Sequence, residues 1–303
     1  MTVALGDAFL QTVFPILLIG GFGYLVGRAR PIELGPITTL AVMVLVPGVV
    51  FDALARAALP WGLLGRLLLH VALQVAAVGA LTLLAARAIG WRGVSRNALL
   101  MGALFPNTGS VGLALGLFAF GPAGLAIAAG WFAASTISTH TLGIFIAAHA
   151  RAGAGAALRQ LVRLPITYAM LGGVGVNLSG WALPAPLGKV SQVLAGGSVA
   201  VLLLLLGLQL ARLALREEAK GAALATAIRL LAAPPIAWLT GRLVGLEGMP
   251  LAVAVLQAGT PTAVVAALWA TEFDARPRLV AATVVLSTLA SVVTLTLLLA
   301  LLL

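Results

Sequence analysis

The stretch Ala103-Leu104-Phe105-Pro106-Asn107-Thr108-Gly109-Ser110 decides how this chain is read. It sets a proline among small polar residues inside a long apolar segment. A second segment repeats the oddity as Gln257-Ala258-Gly259-Thr260-Pro261-Thr262-Ala263. From 106 to 261 the two prolines stand 155 positions apart in a chain of 303 residues, so each holds a similar place in its half. A proline inside a helix removes a backbone hydrogen bond and costs about 3 kcal/mol. In hydrocarbon the freed carbonyls have no water to turn to. Two such interruptions in corresponding positions point to a solute-binding site within the membrane.

Composition sets the surroundings of these breaks. Hydrophobic residues make up 62% of the chain and charged residues 9%, against about 25% charged in a soluble domain. Mean hydropathy is +1.15. The expectation is an all-α polytopic membrane protein without a sizeable soluble domain. Met1 to Asp7 lacks the basic start of a signal peptide, so the first span is expected to remain in the mature protein. The chain has no cysteine, which excludes disulfides and Cys-ligated metals. No cofactor and no metal are expected. The net charge of +10 raises nucleic acid as a partner. The arginines, however, fall in short loops between apolar spans, where membrane topology uses them. The lipid bilayer is the partner they indicate.

Apolar stretches able to cross a core of roughly 30 Å lay out as ten helices at residues 8–27, 34–56, 61–86, 97–119, 122–147, 165–180, 189–211, 221–244, 250–271 and 278–302. A polar linker at 149–164 separates a five-helix unit at 1–148 from another at 165–303. With an odd number of spans per half, the second half enters the membrane from the opposite side, as an inverted repeat. Pro15 and Pro165 each precede an apolar run, and Pro106 and Pro261 fall in the fourth span of their halves, the fourth and ninth of the chain. Thirteen of the 18 Lys and Arg lie in loops after odd-numbered spans, and four (Arg56, Arg66, Lys189, Arg242) lie after even-numbered ones. This bias places the odd loops in the cytoplasm and both termini outside it.

Where a helix restarts after a break, its first N–H groups are unbonded and its dipole presents roughly half a positive charge. Such an end attracts an anion. Asn107, Thr108, Gly109 and Ser110 follow the first break, and Thr260, Pro261 and Thr262 surround the second. Nothing acidic sits in either. If the two broken spans cross at Pro106 and Pro261, both positive ends meet at one site suited to a small organic anion. The competing explanation is a pair of kinks repaired by threonine and neighbouring helices.

The run Asn107-Thr108-Gly109-Ser110-Val111-Gly112-Leu113-Ala114-Leu115 resembles the fourth-span signature of the auxin efflux carrier family, an N-x-G-x-x-G-L-P-L pattern. Thr260-Pro261-Thr262-Ala263-Val264 and Leu286-Ser287-Thr288-Leu289 resemble its last two spans, Val44-Leu45-Val46-Pro47 its second and Leu206-Gly207-Leu208-Gln209-Leu210 its seventh. The chain departs from the pattern at Ala114, where proline is usual, and at Ser110, where asparagine is frequent. The resemblance implies ten spans in two inverted repeats, with crossing fourth and ninth spans. It also implies a scaffold of spans one, two, six and seven, often dimeric, and a transport unit of the other six that moves like an elevator. Cargo in the family includes the auxin anion, malate and malonate.

Other polar residues have two readings. Arg66, His70 and Gln74 share one face of the third span at i, i+4 spacing. His70 and Gln74 either support the crossover, with a proton relay through histidine, or are satisfied by a neighbouring helix. Gln257, just before the second break, is a supporting residue. Arg229 is expected to snorkel to the cytoplasmic side rather than meet cargo. Asp52 is expected at the wet outer end of the second span. Ser135, Thr136, Ser138, Thr139 and His140 either line the cavity or bond between helices.

The scarcity of acids, eight in all, argues for movement down the anion's own electrochemical gradient. A sodium- or proton-coupled symporter or antiporter of similar architecture should show carboxylates beside the breaks. A channel or receptor, and an intramembrane serine protease using Ser110 with a histidine, are the remaining classes. The protease fits poorly because Gly109-Ser110-Val111-Gly112 lacks the required motif spacing. A reporter fused after Leu303 is expected on the extracytoplasmic side; alkaline phosphatase inactive there and a fluorescent protein bright would reverse the layout.

Overall fold

The computed structural model describes residues 6–56, 60–147, 165–212, 218–272 and 274–303. Eleven helices order these segments. They are α1 (Gly6–Ala29), α2 (Leu34–Arg56), α3 (Trp61–Ala88), α4 (Gly93–Leu104), α5 (Leu113–Ala147), α6 (Pro165–Ser179), α7 (Ala185–Leu210), α8 (Ala219–Leu243), α9 (Gly248–Ala258), α10 (Val264–Glu272) and α11 (Pro277–Leu302). No strand occurs among the described residues; one isolated antiparallel bridge joins Pro106 to Thr262. Seven helical segments among the described residues are long and apolar enough to cross a membrane. The 12-residue α4 and 11-residue α9 are too short on their own, at about 1.5 Å per residue, for a core of about 30 Å. Both stop at the proline-containing breaks.

The expected span at 97–119 is thus divided. It begins earlier, at Gly93, and halts at Leu104. The chain becomes extended at Phe105 (φ −102°, ψ 98°) and restarts in a π turn over Thr108–Gly112. The boundary expected near 120 is a sharp turn at Gly121, with φ 65° and ψ −157°, immediately before Pro122. That positive φ suits glycine.

Prolines also shape the uninterrupted helices. π turns at Phe9–Val13, Ala41–Leu45 and Ile228–Ala232 each end two residues before a proline, namely Pro15, Pro47 and Pro234. A proline ring cannot sit against the carbonyl four residues earlier, and the wider turn removes that conflict without ending the helix.

Packing gathers α1, α2, α6 and α7 on one side, with α1 on α7 and α2 on both α6 and α7. Backbones approach closely there. A Cβ on Gly207 of α7 would lie 1.9 Å from the Gly20 carbonyl oxygen of α1, and one on Gly23 would lie 2.1 Å from that of Leu204. Small residues permit the close contact that replaces a hydrophobic driving force between helices in lipid. Helices α3, α4, α5, α8, α9 and α11 pack around the breaks.

Loop contacts separate the molecule into two ends. Arg276 reaches Glu218 at 2.7 Å and Ser95 at 2.8 Å, and lies 5.1 Å from the Trp91 ring centroid. It thereby ties together the turns after α3, α7 and α10. Arg56 donates to the Gly188 carbonyl at 2.8 Å, and Arg66 to that of Gly245 at 2.7 Å, joining the turns after α2, α6 and α8 at the other end. Asp52 belongs to this second group, paired with Arg56 at 2.7 Å and accepting from Ser191 at 2.6 Å. Gly207→Val should destabilise the protein by about 3 kcal/mol or prevent folding. Gly196→Ala, on the same helix but with nothing within 4 Å, should leave the Tm of the purified protein unchanged or slightly raised.

Candidate functional site

The two breaks hold each other. Asn107 N–H donates to the Pro261 carbonyl at 2.7 Å, and Ala263 N–H donates to the Phe105 carbonyl at 2.8 Å. Each interruption thus becomes a partner for the other's freed backbone groups. The Thr262 hydroxyl donates to the Gly102 carbonyl at 2.6 Å, while its N–H donates to Ser287 Oγ at 3.0 Å. Thr260 Oγ1 donates to the Gln257 carbonyl at 2.8 Å. Gln257, fully buried in α9, donates through Nε2 to the Gly112 carbonyl at 3.0 Å. These bonds join α4, α9, the Thr108–Gly112 turn and α11 behind the breaks.

In front lies a cavity of about 190 Å³. One wall is Pro106, Asn107, Thr108, Gly109 and Ser110, continued by Ala263, Val264 and Val265 at the start of α10; Ser135, Thr136 and Thr139 of α5 complete that side. The opposite wall comes from α2, α6 and α7, including Thr38, Pro165 and Gln209. Among the described residues, none that lines the cavity is charged. Both restarting helices therefore reach the cavity by their N-terminal ends. Asn107, only 7% exposed, accepts from Ser110 N–H through Oδ1 at 3.3 Å. Its Nδ2 has no protein acceptor among the described residues, so the amide caps the turn and keeps its donor for a ligand. Thr108 Oγ1 lies 3.3 Å from Ser135 Oγ. Ser135 and Thr136 donate to the Phe132 carbonyl, and Thr139 to that of Ser135, which leaves their oxygens as the polar face of α5. The side chain of His140 lies outside the described residues.

The site residues expected from sequence thus separate into two groups. Asn107, Thr108, Gly109 and Ser110 line the cavity. Thr260, Pro261 and Thr262 lie behind it, with both threonine hydroxyls bound to carbonyls.

His70 and Gln74 do not bond each other. His70, with 0% exposure, accepts from Trp131 Nε1–H at Nδ1 and donates from Nε2 to the Ala237 carbonyl, both at 3.0 Å. Its two ring nitrogens link α3, α5 and α8, and these roles put its proton on Nε2.

Arg229 corrects the sequence expectation. It does not snorkel. At 1% exposure its guanidinium turns inward and donates through Nη1 to the carbonyls of Ala103 (3.0 Å) and Leu104 (3.2 Å), and through Nη2 to that of Ala258. Those carbonyls end α4 and α9. The wall from α2, α6 and α7 was likewise not foreseen from sequence; the one available signal was Gln209, an amide within the leucine run of α7.

Backbone pairing between two interrupted helices thus lies beside an uncharged cavity, among apolar helices long enough to cross a membrane several times. The family described as membrane transport protein matches residues 8–299, and the chain belongs to it, the family of the auxin efflux carriers. It is 29% identical over 292 residues to an uncharacterized transporter of Methanothermobacter thermautotrophicus, covering 94% of this chain and 95% of the relative. It is also 31% identical over 134 residues to auxin efflux carrier component 1 of Arabidopsis thaliana, covering 42% of this chain and 21% of that protein. Members of this family are transporters, not enzymes.

Thr262→Val keeps the side chain's shape but orphans the Gly102 carbonyl, and should cost about 1–3 kcal/mol of stability. Ser110→Ala removes a hydroxyl with no protein partner among the described residues and should shift stability by less than about 0.5 kcal/mol. Thermal unfolding of the two purified variants measures the contrast.

Proposed function

We propose that this chain is a secondary transporter of a small organic anion, a carboxylate such as an auxin-like monocarboxylate, malate or malonate. The cavity carries the reading. Two helix N-terminal ends, about half a positive charge each, and the free Nδ2 of Asn107 face one uncharged space. A carboxylate there gains charge-assisted hydrogen bonds without displacing a resident acid. Asn107, Thr108, Gly109 and Ser110 are the ligand contacts. Thr260, Pro261, Thr262 and Gln257 hold the crossover, and His70 and Gln74 support it.

In this reading α4 with the start of α5 up to Gly121 forms one interrupted span and α9 with α10 another, for ten spans in two inverted halves. The α1, α2, α6 and α7 group serves as scaffold and dimer surface. The remainder is a transport unit that carries both breaks past it in an elevator motion. The position of the cavity at the boundary between these groups supports that division. With no acid on the described cavity wall, the anion's own gradient drives the movement. The arginine distribution supports a cell-membrane location with both termini outside the cytoplasm.

A thermal-shift screen of mono- and dicarboxylates identifies the cargo class. Asn107→Ala should weaken the best binder at least tenfold, the equivalent of one charge-assisted hydrogen bond of about 1.5–3 kcal/mol. Unchanged affinity would remove Asn107 from the site. In reconstituted vesicles, uptake of that acid should continue with no sodium or proton gradient; dependence on either gradient rejects the anion's own gradient as the driving force.

A further inference from the structure

A buried guanidinium in a membrane helix ordinarily has a carboxylate partner. Arg229 has none among the described residues, where the ion pairs are Arg56–Asp52, Arg242–Glu247 and Arg276–Glu218. Its partners are the carbonyls of Ala103, Leu104 and Ala258. These are among the C-terminal carbonyls that a helix cannot satisfy itself, and each helix end presents about half a negative charge. The ends of α4 and α9 together offer about one negative charge converging on a point. In carriers built from discontinuous helices, converging carbonyl ends of this kind hold a sodium ion or a proton. Here a side chain of the protein is fixed in that place.

We propose that Arg229 is the resident cation of the paired breaks: tethered to α8, it occupies the position where a dissociable coupling cation would otherwise bind. The proposal rests on reading the breaks as a transport site, and it gives that reading its charge balance. The guanidinium matches the two carbonyl ends, and the two N-terminal ends are left to the anion. The halves divide the task unequally. Gln74 precedes Arg229 by 155 positions, from 74 to 229, the same offset that separates Pro106 from Pro261. One half therefore places an amide where the other places a charge, and a second charge would exceed what two helix ends balance. Arg229 Nε and Gln74 Oε1 are both buried without a protein partner. Both residues border a space of about 10 Å³, about the size of one water molecule.

The test is thermal unfolding of the purified protein in detergent, with sodium chloride, choline chloride and millimolar guanidinium chloride as probes at matched ionic strength. The natural chain should have the same Tm in sodium and in choline; a sodium-specific rise overturns the proposal. Arg229→Ala orphans three carbonyls and should lower Tm by roughly 10 °C, and guanidinium or sodium, but not choline, should restore at least half of that loss. A folded Arg229→Ala protein that responds to these ions no more than the natural chain does also overturns it. If Arg229→Ala does not fold, Arg229→Lys decides: it should remain indifferent to sodium, and a sodium response rejects the assignment. No arm contains a carboxylate, so failure of the anion reading would be seen separately, in the acid screen.

Discussion

A helix that stops inside an apolar interior leaves carbonyls and N–H groups that only the protein can satisfy. Much of the centre of this molecule is arranged around that constraint. Phe105, Asn107, Pro261 and Ala263 exchange two backbone hydrogen bonds across the paired breaks. Thr262 and Gln257 reach from one broken segment to carbonyls of the other, and Arg229 takes the carbonyls at which α4 and α9 end.

The satisfaction is one-sided, and that gives the site its chemistry. Acceptors are bound on the inner side by threonine, glutamine and arginine. On the cavity side Asn107 Nδ2 and the N–H groups of Gly109, Val264 and Val265 have no protein acceptor among the described residues. A space lined by donors and bordered by apolar side chains favours an anionic head with a modest apolar body, in agreement with membership of a family of membrane transporters.

Much of this was legible in the sequence. Prolines in apolar runs at matching positions located the breaks because proline's effect on a helix is local and general. The small polar residues after Pro106 were read as cavity residues for the same reason. Other roles were not legible. Thr260 and Thr262 look equivalent to Thr108 in the sequence, and only the approach of α4 shows that the Thr262 hydroxyl meets Gly102. His70 and Gln74 share a helical face, yet the histidine bonds to Trp131 and Ala237 on other helices. Arg229 looked free to snorkel because depth along a helix says nothing about which side of it faces converging carbonyls. The π turn at Ile228–Ala232 further shifts its direction from that of a regular α-helix.

That turn and its counterparts before Pro15 and Pro47 have an evolutionary consequence. Each contains one residue more than a regular turn, and removing it rotates one side of the helix against the other by about 100°. A deletion at Ile228–Ala232 would displace Arg229 from the carbonyls it holds, and one at Ala41–Leu45 would move the α2 wall of the cavity. Exchanges among Ala, Val, Leu and Ile in these turns alter packing by a methyl group or two, whereas a change in length alters direction. Relatives of this chain should therefore vary freely in apolar identity at these turns while keeping their residue count.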